Sequence, residues 1–264
     1  GANLYTCSIL ALNPDTGKIV WYFQASPHDT HDWDAVETPV LFDADFNGKP
    51  RQLLAQASRN GYFFVLDRKT GEHLLTTQFV PSNWAKGIDA NGSPIPDPAK
   101  EPQLDGALAK GAENGGTNWM SPSWDPETGL FYVNAWTGYA LWYLQLGPNN
   151  LPIDHEGGYT VHLVDKSVLL ALDYQTGKVV WKRKSGDGDG HAGILTTAGH
   201  VLFTADASGN LLALDPSDGR VLWHTRPGGS LNDAAPITYE IDGIQYILTG
   251  VDGVMYAWTL TGSL

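Results

Sequence analysis

One repeated hairpin constrains this 264-residue chain more than any other feature. Its copies are ALNPDTGKIVWYF (11–23), VLDRKTGEHLLTT (65–77), ALDYQTGKVVWKR (171–183) and ALDPSDGRVLWHT (213–225), with a related turn in SWDPETGLFYV (123–133). Each has an apolar strand, a polar turn of the form D-x-x-[TD]-G led by Asp or Asn, and a second strand that often closes on Trp. The turn has a mechanism: the leading carboxylate or amide caps it, and Gly takes the positive-φ position. Alternation such as Lys178-Val179-Val180-Trp181 has the period of a strand, and helical periodicity is nearly absent.

The pattern predicts four-stranded antiparallel units. One covers 36–79, with strands near 37–43, 51–57, 61–67 and 72–78. The next covers 117–184, with strands near 117–124, 130–135, 166–173 and 178–184 around an insertion at 136–160. A third covers 192–226, and a last unit at 234–260 has three strands. A spacing of about 40 residues is that of propeller blades. The expected class is therefore all-β, a β-propeller of which about four blades are present. A partial blade at 3–24 precedes them, so the strand tally leaves unpaired edges at both ends. This predicts the C-terminal part of a single, longer propeller domain (1–264), with self-association into a homodimer as the alternative closure.

Two stretches fall outside the blades. Residues 81–116 are polar and rich in Pro and Gly, and read as a long loop on the propeller face. The insertion carries Trp136, Tyr139, Trp142 and Tyr143, which suit either the wall of an apolar pocket or packing over a blade edge.

A formal net charge of −13 argues against nucleic acid or an anionic membrane as partner, and no stretch of about 18 apolar residues exists to span a bilayer. Cys7, the only cysteine, reads as a small buried side chain. The chain has no P-loop or G-x-S-x-G motif, which disfavours nucleoside triphosphate and serine-hydrolase chemistry.

The candidate chemistry lies in SPHDTHDWDAVETP (26–39), where His28, Asp29, His31, Asp32 and Asp34 occupy seven positions. Asp32 and Asp34 flank Trp33. In an extended segment their carboxylates would share one side about 7 Å apart, and in a turn they would converge and need a cation between them. A hard cation meets that need with oxygen ligands. Zinc on His28 and His31 lacks a further ligand set, because His155, His162, His191 and His200 are scattered. Arg59, in SRNGYFFVLD, and Asn118-Trp119, in GGTNWMSPSWDP, precede strands where a propeller binds its ligands. A planar cofactor would stack on Trp119 and bond to Arg59 and Asn118.

The runs PHDTHDWDAVETP, RQLLAQASRNGYFFVLDRKTGE and GGTNWMSPSWDPETGLFYV, with the Trp-ending repeats, together resemble the quinoprotein alcohol dehydrogenases. These are eight-bladed propellers that use pyrroloquinoline quinone (PQQ) and a bound metal. The resemblance implies PQQ-dependent oxidation of an alcohol, with Asp32 as catalytic base and metal ligand. Asp34 would be the extra ligand of the lanthanide-using branch, Ca2+ being the alternative metal. Arg59, Asn118 and Trp119 would bind the cofactor. It further implies a periplasmic or secreted location, a cytochrome c or quinone as electron acceptor, and the N-terminal half of the propeller as partner. Several expected residues would lie upstream, so the segment alone would hold part of a site and be inactive. Departures are His191 where many members have Trp, and no Gly-Trp pair in LTGVDGVMYAWTL. A non-catalytic scaffold propeller with the same blade repeat is the alternative function.

Overall fold

A computed structural model describes residues 1–153, 157–164, 166–186, 192–229, 231 and 235–259. Among them there is no helix, and so none long and apolar enough to cross a membrane. His155 and His191 lie outside the described residues. The chain divides into two compact units, Gly1–Trp119 with Trp136–Asp165 and Tyr174–Lys178, and Met120–Ala135 with Lys166–Asp173 and Val179–Leu264.

In the first unit, β1 (Ser8–Leu12) and β2 (Ile19–Gln24) form a hairpin. A four-stranded antiparallel sheet follows, in the order β3 (Val40–Phe46), β4 (Lys49–Ala57), β5 (Tyr62–Asp67) and β6 (His73–Gln78). The stretch expected to be a loop at 81–116 contains strands. β7 (Ala85–Ile88) and β8 (Pro94–Pro96) make a hairpin, and β9 (Ala107–Lys110) joins a three-stranded sheet. The hairpin turn is capped by Asp89, whose Oδ1 accepts from the backbone N–H of Asn91 and Ser93, and Gly92 has φ 88°. This is the chemistry of the repeat turns on strands too short to show alternation.

The second unit contains β10 (Ser123–Asp125) and β11 (Leu130–Trp136), whose last residue is grouped with the first unit. The insertion that follows belongs to the first unit. Its strands β12 (Tyr139–Leu144) and β13 (Gly158–Val164) pair with each other, and β12 also pairs with β9. Strands β14 (Ser167–Asp173) and β15 (Val179–Lys184) complete a four-stranded sheet with β10 and β11. Another four-stranded sheet holds β16 (Leu195–Thr197), β17 (Val201–Ala205), β18 (Leu211–Leu214) and β19 (Val221–Thr225). The last has three strands, β20 (Ile237–Ile241), β21 (Ile244–Val251) and β22 (Val254–Thr259). In chain order the repeat sheets hold two, four, four, four and three strands. Of the strand expected at 117–124 only Ser123–Asp125 pairs, so Asn118 and Trp119 stand in irregular chain before it.

The repeated turns explain why the hairpins recur. Asn13 and Asp67 accept the two backbone N–H groups two and three residues on, and Gly17 and Gly71 have φ 67° and 74°. Each of the four hairpins shifts register at the same place, at Ala11/Leu12, Val65/Leu66, Ala171/Leu172 and Ala213/Leu214. The closing tryptophans lock one repeat onto the next turn. In the first unit Trp21 Nε1 donates to Arg68 O (3.2 Å), and a Cβ on Gly71 would sit 2.8 Å from the Trp21 ring. In the second unit Trp181 Nε1 donates to Pro216 O (2.9 Å), and Gly219 approaches that ring equally closely. Glycine is required at both turns by its φ and by the indole it faces.

The core of the first unit gathers Phe23, Trp33, Leu54, Phe64, Leu66, Trp84 and Trp142. That of the second gathers Tyr132, Leu169, Leu202, Leu212 and Leu214, with Trp181 packed against them. Two aromatic residues of the insertion, Trp136 and Trp142, are buried, so that segment packs into its unit rather than forming an open wall.

Candidate active site

The acidic loop is built around Trp33. This indole is 1% exposed, and its Nε1 donates to Ala112 O (2.9 Å). It stacks on His31 with centroids 4.3 Å apart and meets Trp84 and Trp142 edge-on at 5.6 and 6.1 Å. His31 is buried, and its Nε2 lies 2.9 Å from Lys100 O. Burial lowers the pKa of His31 to about 4, which leaves the ring neutral and Nε2–H free to donate to that carbonyl. Asp29 ties the turn from within, as Oδ1 accepts from His31 N (3.2 Å) and Oδ2 from Trp33 N (2.8 Å). Burial raises its pKa to about 6 against those two bonds. His28, at φ 50°, places Nδ1 2.9 Å from Gly1 O and Nε2 3.8 Å from Glu101.

With Trp33 pinned inward, its neighbours point the other way. Asp32 has φ 59°, a left-handed conformation that Asp tolerates better than most residues, so the segment turns and is not extended there. The side chains of Asp32 and Asp34 are 29% and 55% exposed, and both carboxylates converge on Arg59.

Arg59 sits at the end of β4 and is held on every side. Its backbone N–H donates to Glu37 Oε1 (2.9 Å), and its C=O accepts from Gly116 N (2.6 Å). Its Nη2 donates to Glu113 O (2.9 Å) and to Asp32 Oδ2 (3.2 Å), and Nη1 lies 3.5 Å from Asp34 Oδ2. The Gly115-Gly116 pair permits this approach. Gly115 has φ 78°, and a Cβ there would fall 2.3 Å from Arg59 O. The guanidinium is the cation that two convergent carboxylates require. Its Nε is buried and has no hydrogen-bond partner among the described residues.

Asn118 belongs to the loop that wraps Arg59. Its Nδ2 donates to Asn114 O (3.4 Å), and its Oδ1 accepts from Trp119 N (2.9 Å). Trp119 is 52% exposed, with a ring open to stacking. Cys7 is a poor nucleophile, because burial, with Asp29 and Asp34 adding to it, raises its thiol pKa to about 12.

The structure thus brings Asp32, Asp34 and Arg59 into contact and sets Asn118 on the loop that covers Arg59. It also shows residues that sequence reasoning missed. Glu37 holds the Arg59 peptide, Glu113 O binds the guanidinium, and Gly115-Gly116 makes room for both. The paired glycines in GAENGGTNW were the available signal for close backbone approach.

Among the described residues no cluster of three or more His, Cys, Asp or Glu is disposed to hold a metal. A hard cation such as Ca2+ takes six to eight oxygens, so Asp32 and Asp34 fit it as two members of a larger donor set. For a planar quinone, the partnerless buried Nε of Arg59, its Nη atoms and the open face of Trp119 are a compatible donor and platform.

Comparison with known proteins identifies the scaffold. Residues 1–105 match the family model of the glucose/ethanol/alcohol dehydrogenase β-propeller domain, and 165–264 match that of the outer membrane protein assembly factor BamB. The chain is 36% identical to quinoprotein alcohol dehydrogenase PedH of Pseudomonas putida, over 98% of this chain and 45% of that protein. It superposes on quinohemoprotein alcohol dehydrogenase ADHIIG of Pseudomonas putida HK5 with a TM-score of 0.86 and 32% identity, over 95% of this chain and 39% of that one. A europium-containing methanol dehydrogenase aligns with a TM-score of 0.76 and 29% identity, over 94% and 45% of the two chains. The chain therefore spans less than half the length of these relatives. With PQQ-type repeats, antiparallel blade sheets and dehydrogenase homologues along nearly its whole length, the chain belongs to the quinoprotein alcohol dehydrogenase family of β-propellers.

Proposed function

We propose that this chain contributes Asp32, Asp34 and Arg59 to the active site of a PQQ-dependent alcohol dehydrogenase. The observation that carries the reading is the contact of Arg59 with both carboxylates at 3.2 and 3.5 Å, in a chain of quinoprotein alcohol dehydrogenase ancestry. Asp32, partly exposed and held in a left-handed turn, accepts the proton of the substrate hydroxyl at its carboxylate. Arg59 offers its guanidinium to the cofactor's oxygens, as a planar fork suits. Asn118 adds a side-chain amide, and Trp119 a stacking face. The chemistry that PQQ supplies is acceptance of the hydride from the carbinol carbon.

Asp32 and Asp34 are the residues that hold the metal. A second carboxylate favours a trivalent ion on Coulomb grounds, so a lanthanide is the proposed metal and Ca2+ its alternative. The europium-containing structural neighbour supports this choice. A periplasmic or secreted setting and a cytochrome c or quinone acceptor go with the reading, the haem of a quinohaemoprotein neighbour supporting the acceptor.

The test is reconstitution of the full-length protein with PQQ and either a lanthanide or Ca2+, followed by dye reduction with alcohols. Turnover in one metal state is expected, and no turnover in any overturns the reading. The match of 165–264 to a BamB model favours a second reading, a scaffold propeller without chemistry. An absorbance titration of the full-length protein with PQQ separates the two.

A further inference from the structure

Glu37 is 2% exposed and bonded to the β4 end twice. Its Oε1 accepts from Arg59 N (2.9 Å), and its backbone C=O accepts from Gln56 Nε2 (2.7 Å). Its second oxygen, Oε2, is buried and has no hydrogen-bond partner at normal geometry among the described residues. A carboxyl group is costly to bury for structure alone, because an amide or an apolar side chain fills the space more cheaply. Glu37 grips the peptide before the Arg59 Cα and Gly116 N the peptide after it, so the backbone that launches the guanidinium is held on both sides.

We propose that Glu37 is a positioning residue for Arg59, fixing its peptide through Oε1 and so aiming the guanidinium at Asp32, Asp34 and the cofactor. The inference rests on the proposed role of Arg59 at the cofactor, and it acts by hydrogen-bond acceptance rather than by charge. Burial raises the pKa of Glu37 to about 8, against Arg59 and the Ser58 hydroxyl, which agrees with a group that works as a neutral acceptor.

The test uses the full-length protein in two measurements. The first is PQQ affinity by absorbance titration for wild type, Glu37→Leu, Glu37→Gln, Arg59→Ala and the Glu37→Leu/Arg59→Ala double variant. Glu37→Leu is expected to weaken PQQ about tenfold, Glu37→Gln to restore affinity to within about twofold, and Glu37→Leu to add less than about twofold once Arg59 is gone. Equal losses with and without Arg59, or a tenfold loss in Glu37→Gln, overturn the proposal. The second is hydrogen exchange of the 58–61 segment, which needs no cofactor. Faster exchange in Glu37→Leu but not in Glu37→Gln supports the clamp, and unchanged exchange in both overturns it. Where Glu37→Leu fails to fold, Glu37→Ala takes its place in both measurements, with the same expected and overturning results. If wild type binds no PQQ, the dehydrogenase reading falls, while the exchange result still judges the clamp.

Discussion

The guanidinium of Arg59 lies 3.2 Å from Asp32 through Nη2, and with Nη1 it reaches Asp34 at 3.5 Å. One buried cation thus answers two acids that flank a buried tryptophan, and the geometry needs all three residues. Arg59→Lys keeps the charge but loses the planar fork, and is expected to weaken PQQ binding by the full-length protein about tenfold, with Arg59→Ala weaker still. Equilibrium titration with PQQ checks this, and unchanged affinity in both variants contradicts it.

In the proposed site, Asp34 is the residue expected to separate the metals. Its side chain is the more exposed of the two acids, so removing it disturbs the fold little. Asp34→Ala is expected to abolish lanthanide-dependent turnover while leaving Ca2+-dependent turnover in place. Dye reduction in each metal state measures the split, and an equal loss in both refutes the assignment.

Much of the architecture was legible because its chemistry is local. Asn13 and Gly17, or Asp67 and Gly71, make their turn among themselves, and the same five-residue signature recurs at 173–177 and 215–219. Asp89 to Gly92 carries that chemistry too, yet the flanking strands of four and three residues are too short for alternation to register. The pairing of β9 with β12, residue 107 with 142, has no local trace at all. The same division applies to the site. The acids of PHDTHDWD stand out in sequence, and the left-handed φ of Asp32 that makes them converge does not. Glu37 reads as one more polar residue until its bond to residue 59 is seen.

Gly115 is a close-approach glycine, with φ 78° and Arg59 O where its Cβ would be. Gly115→Ala is expected to cost about 1–3 kcal/mol through backbone strain and displacement of the Arg59 carbonyl. Denaturant unfolding measures the cost. A change below about 0.5 kcal/mol, the scale of neutral surface substitutions, contradicts it.

Glu37 also predicts a pH dependence. Its folded-state pKa, about 8, lies above its ordinary 4.5, so the folded protein holds a proton that the unfolded chain releases in between. The stability it contributes is present below about pH 4.5 and is lost as pH rises towards 8. Glu37→Gln removes this ionisation. Its melting temperature is therefore expected to gain on wild type as pH rises from about 5 to 8. Parallel melting curves across that range contradict the buried carboxyl account.

The most direct test of the central claim is the single-turnover rate of alcohol oxidation by the full-length protein loaded with PQQ and metal, wild type against Asp32→Asn. The amide keeps the shape of the turn and a contact to Arg59 but cannot take the hydroxyl proton. The account predicts a rate loss of about 100-fold or more with PQQ affinity retained to within about threefold. A variant that oxidises alcohol at the wild-type rate would show that Asp32 is not the base.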